Sequence, residues 1–235
     1  VNRFYKKGGV KAVVSEVSQI KREDVKATYL KYLLEKNLDT DELVTVINSA
    51  GNQLNSDHDL TQILRTNQKI FFRNGKTIAA FIDASKKVNS DHYLTQILME
   101  TMSVKGLSKE NMNAIMVLLN HIQSDHYKTR VLKKVLKSKN LSNQVHDTFI
   151  SSIEDVNSDH YGANISNELL KEKLSAANLT KLLRIVIKNI TSDHYATIIF
   201  KRLSKKAELT DPQVIEILNA AGENINSSHY LSEVL

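Results

Sequence analysis

Apolar residues recur along this chain with helical spacing, in pairs of segments separated by a short polar break. One kind of segment carries its apolar side chains at Val131, Leu132, Val135 and Leu136. The other kind carries them at Met112, Ile115, Met116, Leu119 and Ile122. Both spacings place the apolar side chains on one face of an amphipathic helix. The pattern therefore predicts hairpins of two short helices.

The hairpins recur at a nearly constant interval. A histidine stands every 34 residues from His58 to His194, and His229 follows 35 residues later. This interval predicts six repeats, which cover residues 22–55, 56–89, 90–123, 124–157, 158–191 and 192–226. Partial repeats are expected at 1–21 and 227–235, and we expect a single repeat domain over 1–235.

Two apolar columns run through the second helices of all the repeats. One column holds Ile47, Phe81, Ile115, Phe149, Leu183 and Ile217. The other holds Leu54, Val88, Ile122, Val156, Ile190 and Ile225. A hairpin of two short helices cannot bury such a face alone, so successive hairpins must stack and share a core. The sequence predicts an all-α fold, an α-solenoid in which 34-residue hairpins stack into a superhelix.

A further column, just before each second helix, predicts the N-caps of these helices. It holds Thr40, Asn74, Ser108, Ser142 and Thr210. In the repeat from residue 158 this column holds Ala176, and Ser175 stands one place earlier, so a local shift of the helix start is expected. Pro212 follows the last of these positions, where a missing amide hydrogen is tolerated.

A four-residue motif, Ser-Asp-His-Tyr, precedes the first helix of most repeats. Its full copies are Ser90-Asp91-His92-Tyr93, Ser124-Asp125-His126-Tyr127, Ser158-Asp159-His160-Tyr161 and Ser192-Asp193-His194-Tyr195. Variants are Ser56-Asp57-His58-Asp59 and Ser228-His229-Tyr230, and the earliest repeat has Arg22-Glu23-Asp24-Val25 instead. A serine N-cap and a first-turn aspartate stabilise a helix start by ~1 and ~0.3–1 kcal/mol. We expect His and Tyr to pack their rings against the next repeat.

The residue types of the motif also raise chemical alternatives. Adjacent residues of a helix point in different directions, and parallel copies about 8–10 Å apart do not converge on one metal ion. A catalytic triad needs one cleft, whereas this motif recurs along the chain. We therefore expect no catalytic residues, no metal and no cofactor. An anionic or extended partner held at the helix N-termini stays open as an alternative.

Composition narrows the possible classes further. The chain has 235 residues, of which 41% are hydrophobic, and no cysteine, which excludes disulfides and a thiol nucleophile. No apolar run approaches the ~18 residues of a membrane span, so no membrane insertion is expected. The net charge of +6 is scattered, and its densest run is Lys133, Lys134, Lys137 and Lys139. Because these lysines alternate with core residues and lack an aromatic platform, we predict a solvated helix face and no nucleic-acid partner.

The period of 34 residues matches tetratricopeptide repeats, but the Trp-Leu-Gly-Tyr, Ala and Phe pattern of that family is absent. The motif copies and the segment Gly8-Gly9-Val10-Lys11-Ala12-Val13 resemble HEAT-like bacterial helical repeats with Ser-Asp-Tyr or Ser-Asp-His starts. Such repeats occur in uncharacterised proteins, including extracytoplasmic regions of sensor-type membrane zinc peptidases. The resemblance implies a repeat module of a longer bacterial protein, in the periplasm or cell envelope, without catalytic residues. The chain starts at Val1 without an apolar signal segment, so any targeting peptide is expected to have been removed or to lie outside this sequence.

An elongated repeat array offers a long concave surface, so we expect non-enzymatic binding of a protein or peptide along that face. Predicted contact residues are second-helix positions off the apolar stripe: Lys76, Asn113, Asp147, Lys181 and Glu216. Met99 is the one methionine expected to face a partner. The alternative is a structural spacer or self-association arm that stacks end to end, with Leu231 and Val234 lacking a neighbour.

Overall fold

The computed structural model describes residues 1–138, 141–206 and 209–234. These described residues form fourteen α-helices and no strand. The helices are α1 (Asn2–Gln19), α2 (Glu23–Leu34), α3 (Thr40–Gln53), α4 (Asp57–Arg65), α5 (Gly75–Ser85), α6 (Asp91–Thr101), α7 (Lys109–Met116), α8 (Asp125–Leu136), α9 (Asn143–Glu154), α10 (Asp159–Leu169), α11 (Ala176–Asn189), α12 (Asp193–Ser204), α13 (Asp211–Asn224) and α14 (Ser228–Ser232). Short 3-10 helices cover Gln68–Ile70 and Val117–His121.

Each predicted repeat contains two of these helices. We call α2, α4, α6, α8, α10 and α12 the first helices and α3, α5, α7, α9, α11 and α13 the second helices. The chain divides into two compact units, an N-terminal unit over Val1–Ile122 and a C-terminal unit over Gln123–Leu235.

Within each unit the helices pack neighbour to neighbour. In the N-terminal unit α2, α4 and α6 contact one another in chain order, and α1, α3 and α5 do so in a second row. In the C-terminal unit the rows are α8, α10, α12 and α14, and α9, α11 and α13. This arrangement confirms the prediction of an all-α, α-solenoid fold.

The shared core lies where the apolar columns predict it. All residues of both second-helix columns are buried, and none is more than 5% exposed. In the N-terminal unit, the rings of Phe71 and Phe81 stack with their centroids 5.5 Å apart. Burying a side chain of this size contributes roughly 1.5–3 kcal/mol, so the columns supply most of the cohesion between repeats. Met102, Met112 and Met116 are also buried, whereas Met99 is half-buried.

The second helices begin with side-chain caps. The side-chain oxygens of Asn74, Ser108, Ser142 and Ser175 accept hydrogen bonds from amides of the first turn. The expected shift to Ser175 is therefore confirmed. The prediction for Thr40 is wrong by one residue, because Asp39 is the N-cap and forms a capping box with Glu42. A carboxylate acceptor stabilises the helix start more than a hydroxyl, which explains why the helix begins earlier than the column suggests.

The two adjacent glycines near the N-terminus interrupt α1. Gly9 adopts φ 59° and ψ −146°, a conformation that side chains with a Cβ rarely adopt. The helical course resumes at Val10, which is buried together with Val13 and Val17. The glycine pair thus re-aims the chain so that this apolar face packs against α2 and α3.

Candidate functional site

The aspartate of the motif connects successive repeats. The carboxylate of Asp57 accepts hydrogen bonds from the backbone N–H of Asn89 at 3.1 Å and of Ser90 at 2.8 Å, in the loop that leads to the next first helix. In the C-terminal unit, Asp159 accepts from the N–H of Thr191 at 3.1 Å and of Ser192 at 2.7 Å. We call this arrangement the aspartate clamp.

Two further clamps in the C-terminal unit have the same geometry. Asp125 accepts from the N–H of Asn157 and Ser158 at 3.1 and 2.8 Å. Asp193 accepts from the N–H of Asn226 and Ser227 at 3.2 and 2.8 Å. Hydrogen bonds to a charged group contribute about 1.5–3 kcal/mol each, more than neutral ones. The clamp therefore fixes the register between neighbouring first helices.

The serine of the motif does not form the side-chain N-cap hydrogen bond that the sequence predicts. Ser90, Ser124, Ser158 and Ser192 stand at the N-cap, followed by Asp91, Asp125, Asp159 and Asp193 as the first helical residues. Among the described residues, however, the hydroxyls of these four serines accept no cap hydrogen bond from their own helices. Only in the variant copy does Ser56 accept from the N–H of Asp59, at 3.2 Å. In Ser90, Ser158 and Ser192 the backbone makes the inter-repeat contact, because the amide donates to the carboxylate of the preceding clamp.

The clamp was not predicted from the sequence, and no role was assigned to the clamp residue of the earliest repeat. Glu23 lies 34 residues before Asp57, in the repeat that has lost the motif, and accepts from the N–H of Asn55 at 2.9 Å. A retained carboxylate at that position was the available signal. The longer glutamate side chain reaches the same loop.

Histidine and tyrosine form a chain of ring contacts in the C-terminal unit, which we call the His-Tyr ladder. It consists of Tyr127, His126, Tyr161, His160, Tyr195, His194, Tyr230 and His229. Adjacent ring centroids lie between 5.1 Å (His194–Tyr195) and 6.0 Å (His126–Tyr161), mostly edge to face. The hydroxyl of Tyr195 lies 3.1 Å from Nδ1 of His160, and that of Tyr161 lies 3.3 Å from Nδ1 of His126. His126, His160 and His194 therefore each contact the tyrosine of the next copy, in the manner that the motif predicts.

The first motif copy of the N-terminal unit differs from the others. The rings of His58 and Tyr93 lie 6.0 Å apart, and those of Tyr93 and His92 lie 5.3 Å apart. Asp59 stands where other copies have tyrosine, and its carboxylate lies 3.2 Å from Nδ1 of His58. The imidazole nitrogen thus contacts a carboxylate of its own motif, and this copy has no tyrosine ring to offer to the preceding repeat.

The predicted contact residues lie on the second helices, where several pair with a neighbouring repeat. The ammonium of Lys181 lies 2.6 Å from the carboxylate of Asp147, and that of Lys76 lies 3.2 Å from Asp41. Arg184 lies 4.0 Å from Glu216. These are largely exposed pairs, each worth about 0–1 kcal/mol.

The remaining predicted contact residue, Asn113, is half-buried on α7. In the C-terminal unit the ammonium of Lys188 donates to Glu154 at 2.8 Å and holds the pKa of that carboxyl below its ordinary value. An open groove of about 590 Å³ lies along α11, lined by Glu154, Ala177, Thr180, Lys181, Arg184 and Ile185.

One titratable group is buried without a partner. His146 on α9 is only 4% exposed, and neither ring nitrogen has a hydrogen-bond partner in the described part of the chain. Burial lowers the pKa of this imidazole, and the charge of Glu172 opposes the change. The side chain is therefore neutral at neutral pH.

The described residues contain neither a cluster of metal-binding side chains nor a membrane-spanning helix. No group of three or more His, Asp or Glu side chains there has a geometry that could hold a metal ion. None of the helices in the described ranges combines the length and the apolar character needed to cross a bilayer. Lys139, part of the predicted basic run, lies outside the described residues.

Comparison with known proteins yields no relative. No protein-family model, no curated protein and no solved structure matches the chain.

Proposed function

We propose that this chain is a non-enzymatic helical-repeat module that binds a protein or peptide partner along its second helices. The observation that carries the proposal is the division of roles between positions. The carboxylates of the clamps and the rings of the ladder are engaged in holding repeats together, whereas exposed second-helix positions differ between repeats. Repeat proteins commonly place recognition at such variable positions of a constant scaffold.

The groove along α11 is one place for such a partner. Its volume of about 590 Å³ accommodates side chains of a peptide, and it contains both the predicted contact residue Lys181 and the exposed Arg184. Ala177 provides exposed apolar surface beside these cations, and Ile185, which is only 6% exposed, adds a small apolar contribution. A mixed lining of this kind suits a peptide with alternating apolar and acidic side chains.

A selection from a phage-displayed peptide library on the immobilised chain tests the proposal. Peptides recovered in this way are titrated against the parent and the variant Lys181→Glu/Arg184→Glu. We expect the variant to lose about tenfold or more in affinity, because like charges across an interface cost several kcal/mol. Lys87→Glu/Lys109→Glu, which reverses two exposed lysines of the N-terminal unit, is the matched control. Equal affinity of the parent and the Lys181 variant for every recovered peptide would show that the groove is not the binding site.

Self-association is the second candidate function, because α13 exposes apolar side chains. Val214, Ile215 and Leu218 are 39%, 58% and 40% exposed. Clusters of this kind commonly mark protein interfaces. Leu231 and Val234, which were predicted to lack a neighbouring repeat, add little to this surface, since Val234 is buried and Leu231 half-buried. Sedimentation velocity over a concentration series, with Ile215→Lys as the disrupting variant, decides between a monomer and an assembly.

A further inference from the structure

The first helices of the C-terminal unit carry cations on one exposed face. On α8 these are Arg130, Lys133 and Lys134, followed by Lys137 at its C-cap, and their spacing places them on the same side of the helix. The equivalent positions of α12 and its C-cap are Ile198, Lys201, Arg202 and Lys205, which lie 68 residues later. On α10, which packs between α8 and α12, they are Asn164, Asn167 and Glu168, and Lys171 follows just after the helix. We call this surface the basic face.

Most of these cations lack an internal counterion. None of the four on α8 forms an ion pair with a described residue, and Arg202 and Lys205 on α12 form none either. The pairs on this face are Lys171 with Glu168 at 2.6 Å and Lys201 with Glu233 at 2.8 Å. Unpaired cations on neighbouring helices produce a positive potential that attracts acidic partners.

The N-terminal unit shows that this charge is not needed for stacking. At the positions equivalent to Lys201 and Arg202 it has Arg65 and, in the next repeat, Glu100. Their side chains form an ion pair at 2.6 Å, and Arg65 also donates to Gln96. The first helices there pack as well without an excess of cations.

A groove lies within the basic face, between α10, α12 and α14. It has a volume of about 550 Å³ and includes Asn167, Lys201, Arg202 and Lys205 in its lining. Ile198, also in the lining, is 38% exposed. An apolar contact point surrounded by a charged rim is the usual arrangement of a protein-binding hot spot.

We propose that this groove binds an acidic peptide segment of a partner protein, with an apolar side chain of the segment on Ile198 and its carboxylates at Arg202, Lys205 and Lys201. This extends the proposed binding function to a second surface of the C-terminal unit. The cations of α8 extend the positive potential that attracts the acidic segment beyond the groove.

The chemistry of the face favours a peptide over a nucleic acid. The rings of the His-Tyr ladder pack edge to face against one another at 5.1–6.0 Å, so they are not open platforms for bases. Glu168 and Glu233 interrupt the positive surface. A continuous phosphate backbone would have to cross these carboxylates, whereas a peptide can place neutral residues opposite them.

A fluorescein-labelled peptide of repeating Glu-Glu-Leu tests the proposal by fluorescence anisotropy with the full chain. We expect binding that weakens as salt is added, and that falls about tenfold or more in Lys201→Glu/Arg202→Glu/Lys205→Glu. Ile198→Ser should weaken the binding of this peptide but not the binding of a peptide of repeating Glu-Glu-Ser. Circular dichroism of each variant verifies that the helices are retained.

The control variant is Lys87→Glu/Lys105→Glu/Lys109→Glu, which changes the net charge equally through exposed lysines of the N-terminal unit. An equal loss in both triple variants would mean a general charge effect and overturn the proposal. So would tighter binding of single-stranded oligothymidine that is lost in the Lys201 variant. The Lys181→Glu/Arg184→Glu variant is measured with the same peptide, because the α11 groove also offers cations beside apolar surface. A loss of Glu-Glu-Leu affinity in that variant without a loss in the Lys201 variant would place the peptide in the α11 groove and overturn this proposal while leaving the proposed function intact.

Discussion

The two compact units connect their repeats through the same aspartate clamps, but they differ in the charge of the exposed faces of their first helices. Asp57 in the N-terminal unit and Asp159 in the C-terminal unit hold the amides of the next loop with nearly equal distances. In contrast, the Arg65–Glu100 pair of the first unit is replaced by adjacent cations such as Lys201 and Arg202 in the second. Positions that join repeats are thus constrained, and exposed positions beside them are free to acquire binding chemistry.

Truncation of one core residue in each unit should produce the largest losses in the free energy of unfolding. Phe81→Ala and Phe149→Ala each remove a fully buried ring, and we expect losses of about 3–5 kcal/mol in the free energy of unfolding. Phe81 should lose more, because its ring also contacts Phe71 and Phe72. Urea denaturation with amide hydrogen exchange measures the loss in each unit. A larger loss for Phe149 would show that the second core is the more tightly packed.

Removal of a clamp should be next in size and similar in both units. Asp57→Ala and Asp159→Ala each leave two backbone amides without their charged acceptor, for an expected loss of about 1–3 kcal/mol. The control is Asp83→Ala, which removes an exposed ion pair with Lys86 and should cost no more than about 0.5 kcal/mol. If the clamp variants unfold at the same urea concentration as this control, the clamp does not stabilise the stack.

Acidification should act on the C-terminal unit through His146. Because burial lowers the pKa of this imidazole, the unfolded chain binds a proton more readily than the folded one as the pH falls below about 6.5. The stabilisation that comes from keeping this imidazole neutral is complete above that pH and is lost progressively as the pH falls below it. Urea midpoints at several pH values should decrease less in His146→Met, which takes the residue of the equivalent position 112, than in the parent. His121→Met, at an exposed histidine, should retain the parental pH dependence.

The smallest expected difference concerns the ladder. Tyr195→Phe removes the hydrogen bond to His160 and should lower the free energy of unfolding by ~0.5 kcal/mol. Tyr93→Phe should have almost no effect, since Nδ1 of His58 lies beside the carboxylate of Asp59 and the ring contact with residue 93 is retained in phenylalanine. Double-mutant cycles with His160→Ala and His58→Ala quantify the two couplings. Equal coupling energies would contradict the distinction between a histidine that contacts the tyrosine hydroxyl and one that contacts Asp59.

The sequence was sufficient for the helices and their buried columns, because two regular spacings determine both. The helical spacing places Phe149 on an apolar face, and the repeat interval places it in a column with Phe81. Most caps of the second helices follow from local residue preferences, as Ser108 and Ser142 show. The N-cap Asp39 was not predicted, because it lies outside the repeated column.

The clamp was not predicted because it joins residues whose proximity depends on packing between repeats. Asp159 and Ser192 are 33 residues apart, and local rules assign both residues to their own helix starts. The ion pairs of Lys181 and Lys76 were missed for the same reason, since each partner lies on the preceding second helix. The groove at Ile198 likewise forms only when three helices come together.

The clamp also bears on how such a chain can change in length. Asp57, Asp125, Asp159 and Asp193 each stand at a helix start and accept from amides in the loop before the next first helix. Insertion or deletion of a whole copy of this kind therefore recreates the same junction. The junction even tolerates irregular spacing, because Asp193 reaches Ser227 across 34 residues where Asp159 reaches Ser192 across 33. Growth and shortening by complete copies are therefore open to this architecture, both in evolution and in protein engineering.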